Sequence, residues 1–316
     1  MHVSWLLFIC LYNNLEMSAA AHVVKKTPST SAGALVANFL KDKKYVVCLT
    51  GAGVSTDSGI PDYRGVNGSY KKGHKPMIHL DFMQKLSSRK RYWARSLGGW
   101  KTFSCSRPNQ THFALSQLES SGYIQYLITQ NVDRLHQSAG SLKVCDLHGR
   151  NDRVKCQTCH LSTSRRLFQS QVAQMNAKAV DAINQAQLND ESLRADGDAE
   201  IENCVDLSSF TVPLCPKCGG ILKPDVVFFG DNVPKARVEE CYDHVDKCDG
   251  MLVVGTSLEV FSAFRFARRA VERDVPIVLI NQGETRLDRT NPKAVLHRID
   301  ENSSSVLAET VRLLVG

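Results

Sequence analysis

The segment YVVCLTGAGVSTDSGIPDYR, residues 45–64, joins an unbroken apolar run to a loop that contains glycine. A short apolar run without alternation is typical of a strand that is buried on both faces of a parallel sheet. Gly51 and Gly53 would let the backbone approach a pyrophosphate, and the amide groups after them favour negative charge. However, Thr56 replaces the third glycine of G-x-G-x-x-G, and no strand ending in Asp or Glu follows. A hydride-transferring dehydrogenase therefore fits poorly.

This first strand is one of five apolar runs that alternate with patterns of helical character. The other runs are residues 123–128, 226–229, 251–254 and 276–280. Pro108 and Asn109 open a helix that Gly122 ends, and Pro234 opens another toward Lys247. This alternation predicts an α/β fold with a doubly wound parallel sheet. No apolar run reaches the roughly 18 residues that a membrane-spanning helix needs.

Small and polar residues follow each run, at the point where a parallel strand would end. Ligands of open parallel sheets bind outside these carboxyl ends, so the residues would converge on one crevice. Taken singly, Asp133 could merely cap a helix, and Gly255 or Gly283 could only turn the chain. Five such ends together favour a binding site. The candidates are Gly51, Ala52, Gly53, Gln130, Asn131, Val132, Asp133, Gly230, Asp231, Gly255, Thr256, Ser257, Asn281, Gln282 and Gly283.

Two C-x-x-C pairs, Cys156 with Cys159 and Cys215 with Cys218, have the spacing of a zinc site. Four sulfur ligands leave no coordination position for water, which predicts one structural Zn²⁺ without a part in catalysis. A redox dithiol or four buried thiols are the alternatives. The 57 positions from Cys159 to Cys215 read as an insertion, because residues 169–187 are polar with helical propensity and Asp196-Gly197-Asp198 follows.

The polar residues near the crevice include two with a possible chemical role. His148 can accept a proton near pH 7, although most of the ten histidines in such a chain would be structural. Arg64 offers a fixed fork of donors to a phosphate or ribose, although an arginine in a loop is more often surface decoration.

The formal net charge of +7 is spread along the chain without a run of like charges, so it indicates acidic ligands only weakly. A zinc ribbon on a basic chain would also suit a nucleic-acid-binding or protein-binding module. The crevice argues against that alternative. The basic and aromatic stretch at residues 89–95 is a single patch, which is more often part of a helix surface.

Several motifs, in this order, resemble the sirtuins over roughly residues 35–310. They are GAGVSTDSGIPDYR, TQNVDRLH, DLHG, the two C-x-x-C pairs, KPDVVFFGD, VVGTSLEV and INQG. Within that family the chain is most similar to the class II mitochondrial, sirtuin-4-like branch, because of RYWARSLGGW and the insertion. Ordered agreement of several motifs is far more specific than any one of them.

The resemblance implies a catalytic domain over residues 35–316. Its Rossmann-like large domain would comprise about 35–65, 105–150 and 224–316, and its small zinc-binding and helical module about 66–104 and 151–223. Residues 1–34 would be a tail or a mitochondrial transit peptide, since the stretch after Met17 is rich in Ala, Ser, Thr and Lys. We therefore expect a mitochondrial matrix enzyme.

The resemblance also implies that NAD is bound for cleavage and not for hydride transfer. Asn131 and Asp133 would seat the nicotinamide carboxamide, Gln130 would contact ribose, and His148 would be the general base on a ribose hydroxyl. The loop with Ala52, Asp62, Tyr63 and Arg64 would wrap the cofactor, with Arg64 near the pyrophosphate. The adenosine side would be lined by Gly255, Thr256, Ser257 and Asn281, with Gln282 and Gly283 beside them.

The expected substrates are acyl-lysine proteins, such as mitochondrial metabolic enzymes, with neither nucleic acid nor membrane as a partner. Val226, Val227, Phe228 and Gly230 match the edge that would pair with an extended peptide. Tyr92 and Arg95 have the Y-x-x-R spacing that a related branch uses for acidic acyl groups, which favours long, carboxylated or lipoyl groups over acetyl. Alternatively, Tyr92 merely packs the module with Trp93 and Trp100.

Two further questions stay open at the level of sequence. NAD-dependent protein ADP-ribosyl transfer, which shares the bond-cleavage step, is the alternative activity. The inserted segment, residues 169–202, either folds over the acyl channel or forms a solvated surface hairpin.

Overall fold

The computed structural model describes residues 30–66, 68–186, 194–201 and 203–316 of the 316-residue chain, of which residues 31–316 form one compact unit. The helices are α1 Ala32–Lys41, α2 His79–Gln84, α3 Leu86–Cys105, α4 Gln110–Ser120, α5 Leu135–Ser138, α6 Arg165–Met175, α7 Ala177–Gln185, α8 Lys235–Lys247, α9 Phe261–Glu272, α10 Arg286–Thr290 and α11 Ser303–Leu314. The strands are β1 Val46–Thr50, β2 Tyr126–Thr129, β3 Val144–Asp146, β4 Gly149–Cys156, β5 Ser162–Ser164, β6 Leu222–Val226, β7 Gly250–Val254, β8 Ile277–Ile280 and β9 Val295–Ile299.

Six strands form a parallel sheet in the order β3-β2-β1-β7-β8-β9. Thr50 at the end of β1 pairs with Thr129 of β2 on one side and with Val254 of β7 on the other. Every residue of β1 and β7 is buried, as expected of apolar runs at the centre of a doubly wound sheet. The Rossmann-like α/β prediction is therefore confirmed, and four of the five predicted runs are strands of this sheet.

Alternate residues along the central strands point into two separate cores. Val47 and Leu49 belong to a cluster that α8 and α9 cover, whereas Val46 and Cys48 belong to one that α1, α4 and α11 cover. Since each buried aliphatic side chain contributes roughly 1.5–3 kcal/mol, these two layers hold the sheet rigid. The strand ends therefore keep fixed positions relative to one another.

The fifth predicted run, residues 226–229, is not a parallel strand, and that prediction was wrong. Strand β6 ends at Val226 and belongs to a three-stranded antiparallel sheet in the order β5-β4-β6. Lys223 and Pro224 lie in this strand, so it has no continuous apolar run by which the sequence could predict it. The pairing of Cys156 with Leu222 brings the two C-x-x-C pairs together across this small sheet.

The small sheet packs on helix α6, which α3 and α7 contact in turn, around a third core that contains Phe82, Trp93 and Phe168. The helical character predicted for residues 169–187 is present as α6 and α7. They are separated at Asn176, whose side chain donates to the Val172 carbonyl and accepts from the Thr211 amide, at 2.8 and 2.7 Å. Within the described ranges, no helix combines the length and apolar character of a bilayer span.

Candidate active site

A cleft of about 1380 Å³ opens at the carboxyl ends of the parallel strands and extends to the small sheet. Backbone hydrogen bonds hold its floor: the Gly53 amide donates to the Gly255 carbonyl at 2.9 Å, and the Gly255 amide donates to the Ile280 carbonyl at 2.9 Å. The predicted residues that line it are Ala52, Gly53, Asp62, Tyr63, Arg64, Tyr92, Gln130, Asn131, Val132, Asp133, His148, Val226, Val227, Phe228, Gly230, Asp231, Gly255, Thr256, Ser257, Asn281, Gln282 and Gly283.

Glycine is needed where two of the strand-end loops touch. A Cβ on Gly53 would lie 2.9 Å from the Gly255 carbonyl oxygen, and one on Gly255 would lie 2.6 Å from the Val54 amide nitrogen. Gly255 also has a φ of +58°, which strains any other residue. Gly51 is not among the cleft-lining residues, and a Cβ on it would meet the Thr256 side chain at 2.6 Å. Because these glycines let the strand-end loops pack closely against one another, the space in the cleft stays open for a ligand.

Asn131, Ser55 and Asp133 form one hydrogen-bonded set in the cleft wall. The Asn131 side-chain amide donates to Ser55 Oγ at 3.0 Å, and Ser55 Oγ donates to Asp133 Oδ2 at 2.7 Å. The other Asp133 oxygen accepts from the Leu135 amide at 2.9 Å. Burial raises the pKa of Asp133, against these donors. Ser55 was not singled out from the sequence, although it is buried inside the opening motif.

His148 follows β3 and faces the same cleft with a defined tautomer. Its Nδ1 lies 3.1 Å from the Gln130 carbonyl oxygen, which can only accept, so Nδ1 carries the proton. Nε2 is then the lone-pair nitrogen, and it lies 2.8 Å from the hydroxyl of Ser262 on α9. Burial lowers the pKa of His148 to about 4, so the ring is neutral near pH 7. A neutral imidazole can accept a proton at Nε2.

The loop after Asp62 curls back on itself at the mouth of the cleft. Asp62 Oδ1 accepts from the Gly65 amide at 3.0 Å, and the Tyr70 amide donates to the Tyr63 carbonyl at 3.0 Å. The Arg64 guanidinium carbon lies 4.9 Å from the Tyr70 ring centroid. Since no described carboxylate pairs with it, this guanidinium remains available to an anionic ligand.

The third core contributes one apolar wall of the cleft. Tyr92 is 3% exposed and packs against Phe82 and Phe228, with centroid distances of 5.5 and 5.2 Å. It therefore packs the core, as the alternative interpretation predicted, and also lines the cleft, while its role toward an acyl group stays a prediction. Trp93 is fully buried in the same core. The cleft-lining residues do not include Arg95.

Charges from the inserted segment lie close to Tyr92 and Arg95. Asp196 lines the cleft, and its Oδ1 is shielded from solvent without a described hydrogen-bond partner. Burial raises the pKa of Asp196, and burial together with Asp196 raises that of Asp198 well above its usual range. For Arg95, burial followed by the nearby Arg194 lowers the pKa. The described part of the insertion thus reaches the cleft, while residues 187–193 and 202 lie outside the described ranges.

The segment after β6 runs along the cleft beside His148. Val226 pairs with Gly149, and the Val227 amide donates to the His148 carbonyl at 2.8 Å. The Val227 amide is therefore already used within the protein and is not free to pair with a peptide. Phe228 is buried against Tyr92, whereas Gly230 turns with a φ of +78°.

The four cysteines of the C-x-x-C pairs form one cluster, with all four Sγ atoms within 4.8 Å of one another. The distance is 3.5 Å from Cys156 to Cys218 and 3.6 Å from Cys159 to Cys215. Tetrahedral Zn²⁺ with Zn–S bonds of about 2.3 Å needs sulfur atoms roughly 3.8 Å apart, so the cluster fits this ion. Amide donors, first that of Cys159, lower the pKa of Cys156 to about 6, which favours a thiolate ligand.

Comparison with known proteins gives a consistent result. The model of the Sir2 family matches residues 51–262. An "NAD-dependent protein deacetylase" of Xanthomonas campestris pv. campestris (strain 8004) is 48% identical over 259 residues, covering 82% of this chain and 85% of that protein. The "NAD-dependent protein deacylase Sirt4" of Drosophila melanogaster is 45% identical over 253 residues, covering 79% and 78%. A solved Sir2 homologue in complex with NAD superposes with a TM-score of 0.66 at 28% identity, covering 89% and 93%.

Proposed function

Since the chain belongs to the Sir2 family, we propose that it is an NAD-dependent protein-lysine deacylase. NAD would be a co-substrate that is consumed in each cycle. The observation that carries the proposal is that one cleft contains both the Asn131–Ser55–Asp133 set and the lone-pair nitrogen of His148. The Asn131–Ser55–Asp133 set has donors and acceptors that can hold an amide group. The lone-pair nitrogen of His148 can take a proton.

In the proposed reaction, the amide oxygen of an acyl-lysine displaces nicotinamide from the ribose of NAD. Asn131 and Asp133 would bind the nicotinamide carboxamide and fix the ring for departure. The amide oxygen of an acyl-lysine is a weak nucleophile, so much of the rate would come from holding it close to the ribose carbon that loses nicotinamide. Arg64 would bind the pyrophosphate, whereas the Gly51 and Gly53 amides already donate to the Val254 and Gly255 carbonyls.

His148 would then act on the resulting ribose-linked imidate. Its Nε2 would take the proton of a ribose hydroxyl, which attacks the imidate carbon and transfers the acyl group. The lysine amine would then leave with the proton and water would add to the carbon that it left, so the products would be free lysine, O-acyl-ADP-ribose and nicotinamide. The Gln130 carbonyl would keep Nδ1 protonated and so hold Nε2 in the accepting form. Zinc, bound by Cys156, Cys159, Cys215 and Cys218, would hold the small module and take no part in these steps.

For the acyl group, we infer a preference for chains longer than acetyl, including carboxylated and lipoyl groups. The apolar wall at Tyr92, Phe228 and Phe103 supports a long chain, because each of these aromatic residues lines the cleft. Arg95 does not line the cleft, and the nearby Asp196 and Asp198 would oppose its attraction for a carboxylate. Acetyl proving the best substrate by a wide margin would refute this preference.

A mitochondrial location remains a proposal that rests on the composition of the N-terminal stretch. Residues 1–29 lie outside the described ranges. A fluorescent fusion of the full chain, compared with one that starts at residue 30, would test it. Matrix import of the first and not of the second is the expected result.

Nicotinamide release tests the proposed activity. We expect release from NAD to require an acyl-lysine peptide and to match the O-acyl-ADP-ribose formed. Release accompanied by labelled protein and independent of the peptide would favour ADP-ribosyl transfer instead. No release under either condition would leave only a binding protein.

A further inference from the structure

The wall of the cleft beside His148 carries a guanidinium that no described carboxylate neutralises. Arg265 lies one helical turn after Ser262, the residue whose hydroxyl contacts His148, and both line the cleft. The Arg265 Nε is shielded from solvent and has no hydrogen-bond partner among the described residues. Its guanidinium carbon lies 5.0 Å from the ring centroid of Phe261. The stacking positions the cation and leaves its donors unused.

The carboxylates on this part of the cleft are each already paired with a cation. Asp231 lies 3.1 Å from the His79 ring and 3.4 Å from the Lys223 ammonium nitrogen. Glu259 forms an ion pair with Arg289. Neither carboxylate is left over to neutralise a further guanidinium, so an incoming group would have to do so.

Two other arginines show why Arg265 is distinct. Arg237 on α8 donates to the Leu147 carbonyl at 3.1 Å and contributes to the lowered pKa of His148, so it adds positive charge here. Arg268 also stacks on Phe261, at 5.3 Å, but it pairs with Glu272 at 3.2 Å. Arg265 therefore combines an open position in the cleft with an unpaired charge, among the residues that the structure describes.

We propose that Arg265 is a specificity-determining residue that binds an acidic side chain of the substrate, two or three positions from the acyl-lysine. This inference rests on the proposed function, which places the acyl-lysine beside His148. An extended peptide advances roughly 3.3 Å per residue, and helix positions three apart lie roughly 5–6 Å apart. The side chain of a residue two positions from the acyl-lysine would therefore lie beside Arg265, one helical turn beyond Ser262. A carboxylate there would accept from two guanidinium donors.

The test is a set of acyl-lysine peptides that carry either Glu or Gln at each of the three positions on either side of the lysine. For the unmodified protein, we expect kcat/KM to be about fivefold higher with Glu at one position, as for a partly exposed ion pair near the upper limit of its strength. The Arg265→Gln variant should lose this preference while its kcat/KM for the Gln peptide stays within about twofold. The Arg265→Glu variant should prefer Lys at that position.

Arg268→Gln is the matched control and should keep the Glu preference. Activity without any Glu preference in the unmodified protein would overturn the proposal, as would an unchanged preference in Arg265→Gln. Inactivity on every peptide would instead contradict the proposed function. Should Arg265→Gln fail to fold, ionic strength serves as a second test. For the unmodified protein, the ratio of kcat/KM for the Glu peptide to that for the Gln peptide must fall toward 1 as the salt concentration rises, because salt screens exposed ion pairs.

Discussion

His148 Nε2 lies 2.8 Å from Ser262 Oγ, so the first turn of α9 contacts the nitrogen that would take the proton. Because the other ring nitrogen donates to the Gln130 carbonyl, the hydroxyl must be the donor in this contact. A donor to the lone pair stabilises the neutral ring and fixes its plane. Ser262 therefore positions the His148 ring, the proposed base, in the protein without substrate.

Replacing Ser262 by Ala should lower kcat/KM by about threefold to tenfold, the loss expected of one neutral hydrogen bond in the free protein. The acid limb of the pH profile of kcat/KM should also move to higher pH, because the neutral ring loses its donor. Ser262→Thr keeps the hydroxyl and should retain both properties. An unmoved acid limb in Ser262→Ala would show that the contact does not act on His148.

Substitution of His148 by Tyr should abolish turnover, since the proton acceptor is lost. The dissociation constant for NAD should change by less than about tenfold, because the cofactor has many other contacts along the cleft. Calorimetric titration with NAD and product analysis measure the two effects separately. Persistent formation of O-acyl-ADP-ribose by this variant would remove His148 from the mechanism.

Ser55 links Asn131 to Asp133, and its removal should be costly. In Ser55→Ala the Asp133 oxygen loses a donor and Asn131 loses an acceptor, both in the cleft wall. Nicotinamide release should fall by about tenfold to a hundredfold, or about 1–3 kcal/mol. Thr56→Ala is a suitable comparison, since among the described residues the Thr56 hydroxyl donates only to the Gly53 carbonyl. Equal losses in the two variants would argue against the role of Ser55.

The strand ends around Ser55 were predictable from sequence because parallel strands place their ends at one edge. The glycines and residues 130–133 directly follow apolar runs. Because each of these runs is a parallel strand, the residues after it lie at the same edge of the sheet. Ser262 and Arg265 could not be found that way, since α9 meets His148 only through the packing of Phe264 and Phe266 on the sheet. Edge strand β9 also escaped prediction because His297 and Arg298 interrupt its apolar pattern.

Buried histidines should make stability depend on pH in one direction. Burial lowers the pKa of His112 to about 4, and His112 is fully buried. The imidazole of His112 binds a proton more readily in the unfolded chain than in the folded one. Its contribution to the free energy of unfolding is therefore fully present above about pH 6.5 and is lost as the pH falls toward 4. The contribution is on the order of 3 kcal/mol at neutral pH.

Comparison with His112→Gln isolates this contribution, since Asp133 and Asp196 have raised pKa values and act in the opposite direction. Urea unfolding at pH 7 and pH 5 is the measurement. The variant should lose less of its unfolding free energy between the two pH values than the unmodified protein does. Equal losses would contradict the assignment to His112.

The cysteine cluster should bind one zinc ion per chain and stabilise the small module. Cys215→Ser should lose the metal and lower the melting temperature by several degrees, because Cys156 and Cys215 lie in the same apolar core. Cys105→Ser, at an exposed position outside the cluster, should keep the metal. Elemental analysis of both proteins decides between a zinc site and a set of free thiols.

Asp196 lines the cleft and should weaken, without reversing, the inferred preference for acyl groups that end in a carboxylate. Asp196→Asn removes the charge and should raise kcat/KM for glutaryl-lysine relative to pentanoyl-lysine by about tenfold, equivalent to about 1.4 kcal/mol. Asp206→Asn, an exposed acid of the same insertion, should leave that ratio unchanged. A ratio that does not respond to Asp196→Asn would place the acyl chain elsewhere.

A crystal structure of the protein with NAD and an acyl-lysine peptide analogue tests the central claim directly. We predict that the nicotinamide carboxamide contacts Asn131 and Asp133, with a ribose hydroxyl roughly 3 Å from His148 Nε2. NAD bound outside this cleft, or with its nicotinamide ribose turned away from His148, would contradict the account.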